Sequence, residues 1–66
     1  MKIVINGKSE DLPDGMTVKS LLESKGINPQ IVACELNLNV VRRMQLAEAQ
    51  LKDGDQLEII RIIGGG

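Results

Sequence analysis

The last apolar run of the chain, residues 57–63, constrains the fold more than any other stretch. It is rich in isoleucine, a β-branched residue that favours strands. In an extended chain its apolar residues fall on both faces: Leu57, Ile59 and Ile63 on one, Ile60 and Ile62 on the other. Strands at the centre of a sheet carry the longest apolar runs because they are the most buried. The sequence therefore predicts a sheet built around its last strand.

Three consecutive glycines, Gly64, Gly65 and Gly66, follow this strand. Without side chains, the backbone beside the carboxylate of Gly66 is narrow and free to adopt positive φ. Such a tail fits a tight slot in another protein. The alternative interpretation is a frayed end or a remnant of cloning, and the tail alone does not decide between them. We expect a folded domain over residues 1–63 and a flexible tail over residues 64–66.

The rest of the chain predicts a hairpin, one helix and further strands. The Asn-Gly pair at positions 6 and 7 is typical of a tight hairpin turn. The expected elements are a hairpin over 2–12, a helix over 18–25, a strand over 31–36, a very short strand at 40–41 and the last strand over 56–63. This order predicts an α+β fold, with a mixed sheet of four to five strands and one main helix packed across it. If the first and last strands are neighbours, the last strand is central.

The outward face of the last strand is a candidate docking surface. One helix covers only one face of a sheet, so Ile60 and Ile62 are expected to be exposed beside the tail, with Arg61 between them. The alternative is that they pack beneath the segment 42–51. That segment is expected to cover one edge of the core as a single irregular or helical turn, with three apolar contributors: Leu46, Ala47 and Leu51. Both interpretations remain open at this stage.

The composition excludes several classes of function. The chain has no His, Phe, Tyr or Trp, and its formal net charge is −1. It therefore lacks the commonest general base and metal ligand, aromatic residues to stack on bases, and a basic stripe for phosphates. No catalytic residue, metal site, bound cofactor or nucleic-acid partner is predicted. Because no apolar stretch approaches about 20 residues and no signal peptide begins the chain, we expect a cytoplasmic protein without a membrane partner.

Cys34 is the only candidate nucleophile, and one hypothesis for the function is an enzyme that uses it. It occupies the inward position of an alternating strand pattern, between Val32 and Leu36. A buried free cysteine usually acts as a small apolar residue. We therefore expect Cys34 to be part of the core. The group that remains able to react, once it is activated, is the carboxylate of Gly66.

Several motifs together resemble one family over essentially the whole chain. They are Met1-Lys2-Ile3-Val4-Ile5-Asn6-Gly7, Leu12-Pro13-Asp14-Gly15, Val32-Ala33-Cys34-Glu35-Leu36-Asn37, residues 51–60 (LKDGDQLEII) and the Gly-Gly end. This set is similar to the ThiS family of sulfur carriers in thiamine biosynthesis. The resemblance implies the ubiquitin-like β-grasp fold, which agrees with the predicted order of elements.

The resemblance also implies a carrier and not an enzyme. A ubiquitin-activating-like adenylyltransferase, using ATP and Mg, would adenylate the carboxylate of Gly66. A sulfur donor fed by a cysteine desulfurase would then displace AMP, and the thiocarboxylate would supply sulfur to thiazole synthase. Gly65 and Gly66 match the paired glycines of the family, and Gly64 lengthens the reach by one residue.

The sequence departs from the family pattern at positions 42–46. The family often has Pro-Arg there followed by an aromatic residue, whereas this chain has Arg42-Arg43 and then Met44-Gln45-Leu46. Two alternatives to the thiamine carrier stay open: the small subunit of molybdopterin synthase, and a β-grasp binding module without tail chemistry. The sulfur donor, the face that binds each partner and the oligomeric state are also open.

Overall fold

A five-stranded mixed sheet with one α-helix across one face forms the fold in the computed structural model, which describes residues 1–62. The elements in chain order are β1 (Lys2–Ile5), β2 (Lys8–Asp11), α1 (Val18–Ser24), β3 (Val32–Leu36), β4 (Asn39–Val41) and β5 (Gln56–Arg61). The strands lie in the order β2-β1-β5-β3-β4. The predicted α+β architecture is confirmed, including the central position of the last strand. Ile63 and the predicted tail, residues 64–66, lie outside the described residues.

Strand β5 has a partner on each side. It pairs parallel with β1, where Val4 lies opposite Gln56, and antiparallel with β3 over five residue pairs. Its residue Leu57 is fully buried beneath α1. Burial of a side chain of this size contributes about 1.5–3 kcal/mol to folding. The strand that leads toward the glycines is therefore anchored in the middle of the domain.

Two asparagines in hairpin turns bind the backbone of β5. Asn6 and Asn37 both have positive φ, 49° and 51°, a region that asparagine tolerates better than most residues. Asn6 Oδ1 accepts the Ile59 N–H at 2.7 Å, and its Nδ2 donates to the Ile59 carbonyl at 3.3 Å. Asn37 Oδ1 accepts the Gln56 N–H at 2.9 Å. Because β1 ends at Ile5, the Asn6 side chain extends the contact between β1 and β5 past the end of that strand.

The helix begins at Val18, as predicted, and ends at Ser24, one residue before the predicted end. Thr17 Oγ1 accepts the Ser20 N–H at 3.1 Å, and Ser20 Oγ accepts the Thr17 N–H at 2.8 Å, which forms a capping box. Gly26, at φ 68°, follows the last turn as a typical C′ residue. The helix buries three side chains against the sheet: Val18, Leu21 and Leu22. Within residues 1–62 no helix is long and apolar enough to cross a bilayer.

The segment between β4 and β5 covers one edge of the core, as predicted, but with one difference. Leu46 and Leu51 are buried, whereas Ala47 is exposed and Ala49 packs against the core instead. In a helical turn, residues three apart share a side, so Leu46 and Ala49 face inward together while Ala47 faces away. The Ala49 carbonyl also accepts the Val18 N–H at 2.9 Å, which fixes this segment to the start of α1.

Candidate functional site

The face of the sheet opposite the helix exposes the candidate docking residues. Ile60 is 47% exposed and Ile62 is 48% exposed. The segment 42–51 packs with α1 on the other face, beside the buried Leu57. The alternative that these isoleucines are covered by that segment is therefore wrong. They form an uncovered apolar surface at the end of β5 from which the chain continues toward its glycines.

Arg61 lies on the opposite face of β5 from Ile60 and Ile62, because side chains alternate along a strand. It is exposed and, with Ile59 and the loop 26–28, lines a groove of about 390 Å³ at the carboxyl end of α1. The structure thus brings two of the three predicted docking residues together and separates the third from them. Alternation along the strand already implies this separation, since neighbouring side chains point to opposite faces.

The exposed face contains residues that the sequence analysis did not single out. Val40 of β4 is 66% exposed, and it lies opposite Glu35 of β3. On its other side Glu35 lies opposite Glu58 of β5, while Ala33 lies opposite Ile60. Alternation along each predicted strand places Glu58 with Ile60, but only the register between strands reveals that the two glutamates are neighbours. We use the term outer face for five residues: Ala33, Glu35, Val40, Glu58 and Ile60.

Cys34 is buried in the core, as the alternating pattern predicts. It lies opposite Val41 on one side and Ile59 on the other. Burial raises the pKa of the Cys34 thiol, because a thiolate loses its hydration in an apolar surrounding. The thiol therefore stays protonated near neutral pH, which is the wrong state for a nucleophile. No cluster of three or more side chains suited to a metal ion occurs within residues 1–62.

The end of β5 is held by hydrogen bonds up to the last described residue. The Ile62 N–H donates to the Ile31 carbonyl at 2.7 Å, and Val32 lies opposite Arg61. Ile63 and then the predicted site residues Gly64, Gly65 and Gly66 follow in the sequence, and all four lie outside the described residues. Their predicted role in sulfur loading stays a prediction.

These features define a class of protein: a ubiquitin-like β-grasp domain whose central strand leads toward a run of glycines. The model of the ThiS family matches residues 3–66. The sulfur carrier protein ThiS of Escherichia coli is 33% identical over the full length of both chains. A crystal structure of the thiamine biosynthesis protein ThiS from Geobacter metallireducens has a TM-score of 0.83 and 33% identity, with full coverage of both chains. The chain belongs to the ThiS family.

Similarity also extends to longer proteins. The whole chain is 44% identical to part of a protein named thiazole synthase in Paramagnetospirillum magneticum. It spans only 20% of the length of that protein, and likewise 20% of a thiazole synthase from Magnetococcus marinus. In these relatives a segment similar to this chain is part of the same polypeptide as a much larger remainder.

Proposed function

We propose that this protein is a sulfur carrier of thiamine biosynthesis and that sulfur is loaded as a thiocarboxylate on Gly66. The observation that carries the proposal is the match to the ThiS family over residues 3–66, which includes all three terminal glycines. The anchored β5 strand supports it as well. Neighbouring strands pair with β5 on both sides, and the sequence beyond it reaches three residues without side chains.

Sulfur loading needs activation because an ionised carboxylate is a poor electrophile. In the proposed sequence, a carboxylate oxygen of Gly66 attacks the α-phosphorus of ATP and releases pyrophosphate. The enzyme that performs this step is a ubiquitin-activating-like adenylyltransferase, and ATP and Mg belong to that partner. A sulfur donor fed by a cysteine desulfurase then attacks the acyl carbon through the terminal sulfur of its persulfide, and AMP leaves. A second thiol, acting as reductant, cleaves the S–S bond of the acyl disulfide, so that the donor departs in a mixed disulfide and the sulfur stays on Gly66. The Gly66 thiocarboxylate that results donates its sulfur to thiazole synthase.

The chain itself acts as a co-substrate in this scheme and contributes no catalytic side chain. The absence of histidine from the sequence and the burial of Cys34 support this role. Four residues follow Ile62, and in an extended chain they reach at most about 14 Å. The activating site must therefore come close to the end of β5, which supports Ile60 and Ile62 as contacts for the adenylyltransferase. We propose that Arg61, on the other face of β5, contacts the same partner.

Thiazole synthase is the sulfur acceptor in this proposal. The support is that two proteins with that name contain a segment similar to the whole of this chain. The molybdopterin alternative has no comparable support among these relatives. Reaction in the cytoplasm agrees with a single cysteine and no internal disulfide.

The test is co-expression with the adenylyltransferase, the cysteine desulfurase and the sulfur donor of the same organism, followed by intact mass measurement. We expect a gain in mass equal to the exchange of one oxygen for sulfur, located in the last peptide. A chain that never gains this mass is not a carrier and fits the plain binding module. Binding of the purified protein to the large subunit of molybdopterin synthase, and not to thiazole synthase, would assign it to the other pathway.

A further inference from the structure

The two edge strands of the sheet, β2 and β4, differ in charge. Three of the four residues of β2 are charged, and two of them form ion pairs: Glu10 with Lys25 at 2.9 Å, and Asp11 with Lys2 at 4.0 Å. Charged side chains on an edge strand discourage another strand from pairing with it. Strand β4, at the other edge, has no charged residue. The edge of β4 is therefore the one that can accept an additional strand.

The backbone of Val40, at the centre of β4, faces away from the sheet. A two-residue turn over residues 37–38, both at positive φ, joins β3 to β4, so Leu36 and Asn39 exchange backbone hydrogen bonds. In an antiparallel ladder such pairs alternate with pairs that exchange none, and the next pair is Glu35 and Val40. The N–H and the carbonyl of Val40 thus point out from the edge and can bind one residue of an added strand.

Apolar surface lies beside this edge. A groove of about 300 Å³ adjoins β4 and is lined by five residues: Val40, Val41, Gln45, Glu48 and Ala49. Leu38 precedes β4 and is 87% exposed, and Met44 follows it and is 83% exposed. When an extended segment adds to a sheet edge, backbone hydrogen bonds give affinity and pockets for alternate side chains give specificity. The edge of β4 and its groove together offer both.

Two arginines at the carboxyl end of β4 indicate the charge of the partner. Arg42 and Arg43 follow the strand directly, and both are exposed. The three ion pairs within residues 1–62 use the amino terminus and two lysines, so neither guanidinium lies within 4.0 Å of a carboxylate of the described chain. A guanidinium binds a carboxylate through two parallel hydrogen bonds. Because Glu48 disfavours an acidic residue inside the groove, the partner's acidic residues belong at the arginines.

A second copy of this chain does not meet these requirements. Symmetric antiparallel pairing of two β4 strands about Val40 would place Arg42 opposite Leu38 of the second copy and supply no carboxylate. Strand β2 of a second copy has no apolar side chain for the groove, and its two carboxylates are already paired within their own domain. Charge complementarity therefore favours a different protein.

We propose that the edge of β4 binds an extended segment of another protein as a sixth strand of the sheet. The segment carries apolar side chains that enter the groove and, next to them, acidic residues that pair with Arg42 and Arg43. Val40 contributes its side chain to the outer face, but its backbone serves this separate contact. Because the contact does not involve the glycine tail, the inference goes beyond the proposed function and does not depend on sulfur transfer.

The test is a selection from a displayed library of peptides of about ten residues, each with an alternating apolar centre and random residues on both flanks. We expect the selected peptides to carry Asp or Glu on one flank. Titration of the parent with one selected peptide, followed by NMR, should shift the amide signals of residues 39–43 most. The same peptide then serves as the probe for the variants.

Two variants separate the backbone contact from the charge contact. Val40→Pro removes the outward N–H and keeps the hydrogen bonds to β3, because an edge strand tolerates proline where the N–H faces solvent. It should weaken peptide binding about tenfold. Arg42→Glu/Arg43→Glu should weaken it by at least about tenfold at low salt, and by less at high salt. Lys8→Glu/Lys19→Glu makes the same change of charge at exposed positions elsewhere and should bind like the parent.

The inference is overturned if no peptide is enriched, or if the enriched peptides lack acidic residues. It also fails if either variant, folded by circular dichroism, binds the selected peptide within about twofold of the parent. If Val40→Pro does not fold, the arginine variant decides, since both of its changes are at exposed positions. Self-association in sedimentation that Val40→Pro abolishes would assign the edge to a second copy and refute the choice of partner.

Discussion

Replacement of Asn6 by glycine tests how β5 is held in front of the tail. Asn6 contributes two hydrogen bonds to the backbone of Ile59, one at 2.7 Å and one at 3.3 Å. Glycine adopts the φ of 49° without strain, so Asn6→Gly removes the side-chain contacts and leaves the turn intact. The variant therefore reports the loss of these contacts together with the added freedom of glycine in the unfolded chain.

The expected decrease in the free energy of unfolding follows from these contacts. A hydrogen bond contributes about 0.5–1.5 kcal/mol net, and the longer of the two contributes at the low end. The added freedom of glycine in the unfolded chain costs about 0.5 kcal/mol more. We expect Asn6→Gly to lower the free energy of unfolding by about 2 kcal/mol, which for a domain of this size is a fall in melting temperature of roughly 10 °C.

Urea unfolding followed by circular dichroism gives the free energy, and hydrogen exchange of the Ile59 amide gives the local effect. Asn6→Asp is the comparison, because it keeps an acceptor for the Ile59 N–H but loses the donor to the carbonyl. Asn6→Asp should lower the free energy of unfolding by about 0.5 kcal/mol, the low-end contribution of the longer hydrogen bond. If Asn6→Gly unfolds within about 0.5 kcal/mol of the parent and the Ile59 amide exchanges no faster, the side chain does not hold β5 and the reasoning fails.

Four further predictions concern single side chains. Ile60→Asp and Ile62→Asp should weaken adenylation in a pyrophosphate-release assay while the domain stays folded by circular dichroism; unchanged adenylation would show that these side chains are not the interface. Leu38 is 87% exposed and has φ 72°, a strained backbone conformation for leucine. Leu38→Gly should therefore raise the free energy of unfolding by about 0.5–1 kcal/mol, measured by urea unfolding. No rise would contradict this account of the turn. Cys34→Ser should cost about 1–3 kcal/mol in the same assay and preserve sulfur transfer, whereas loss of transfer in the folded variant would favour the enzyme hypothesis. Burial raises the pKa of the Cys34 thiol, so the unfolded chain loses this proton at a lower pH than the folded domain does. The parent should therefore lose stability as the pH rises past about 8.5, whereas Cys34→Ala should not. Parallel pH profiles of stability for the two proteins would contradict this role of the thiol.

Local chemistry made much of the fold predictable. The Asn6-Gly7 turn, the cap at Thr17 and the inward position of Cys34 each follow from the conformational or apolar preference of a few neighbouring residues. The central position of β5 followed from the length of its apolar run. Each of these features depends on residues close together in the sequence, which is where pattern and propensity are informative.

The features that the sequence did not reveal depend on pairing between distant segments. The pair of Glu35 and Glu58 exists only in one register of β3 against β5, and a shift of one residue would place them on opposite faces. The exposure of Ala47 depends on how one irregular turn is oriented against α1. The contact between Asn6 and Ile59 joins residues 53 positions apart. Tertiary packing determines all three, and local preference carries no information about them.

The most direct test of the central claim is a comparison of the parent with a variant that carries one alanine after Gly66. Both are co-expressed with the activating and sulfur-donating proteins, and the last peptide is sequenced by tandem mass spectrometry. We expect sulfur on Gly66 of the parent and none on the extended chain, with the same melting temperature for both. An extended chain that gains sulfur, or a parent that does not, would contradict the assignment of the chemistry to the Gly66 carboxylate.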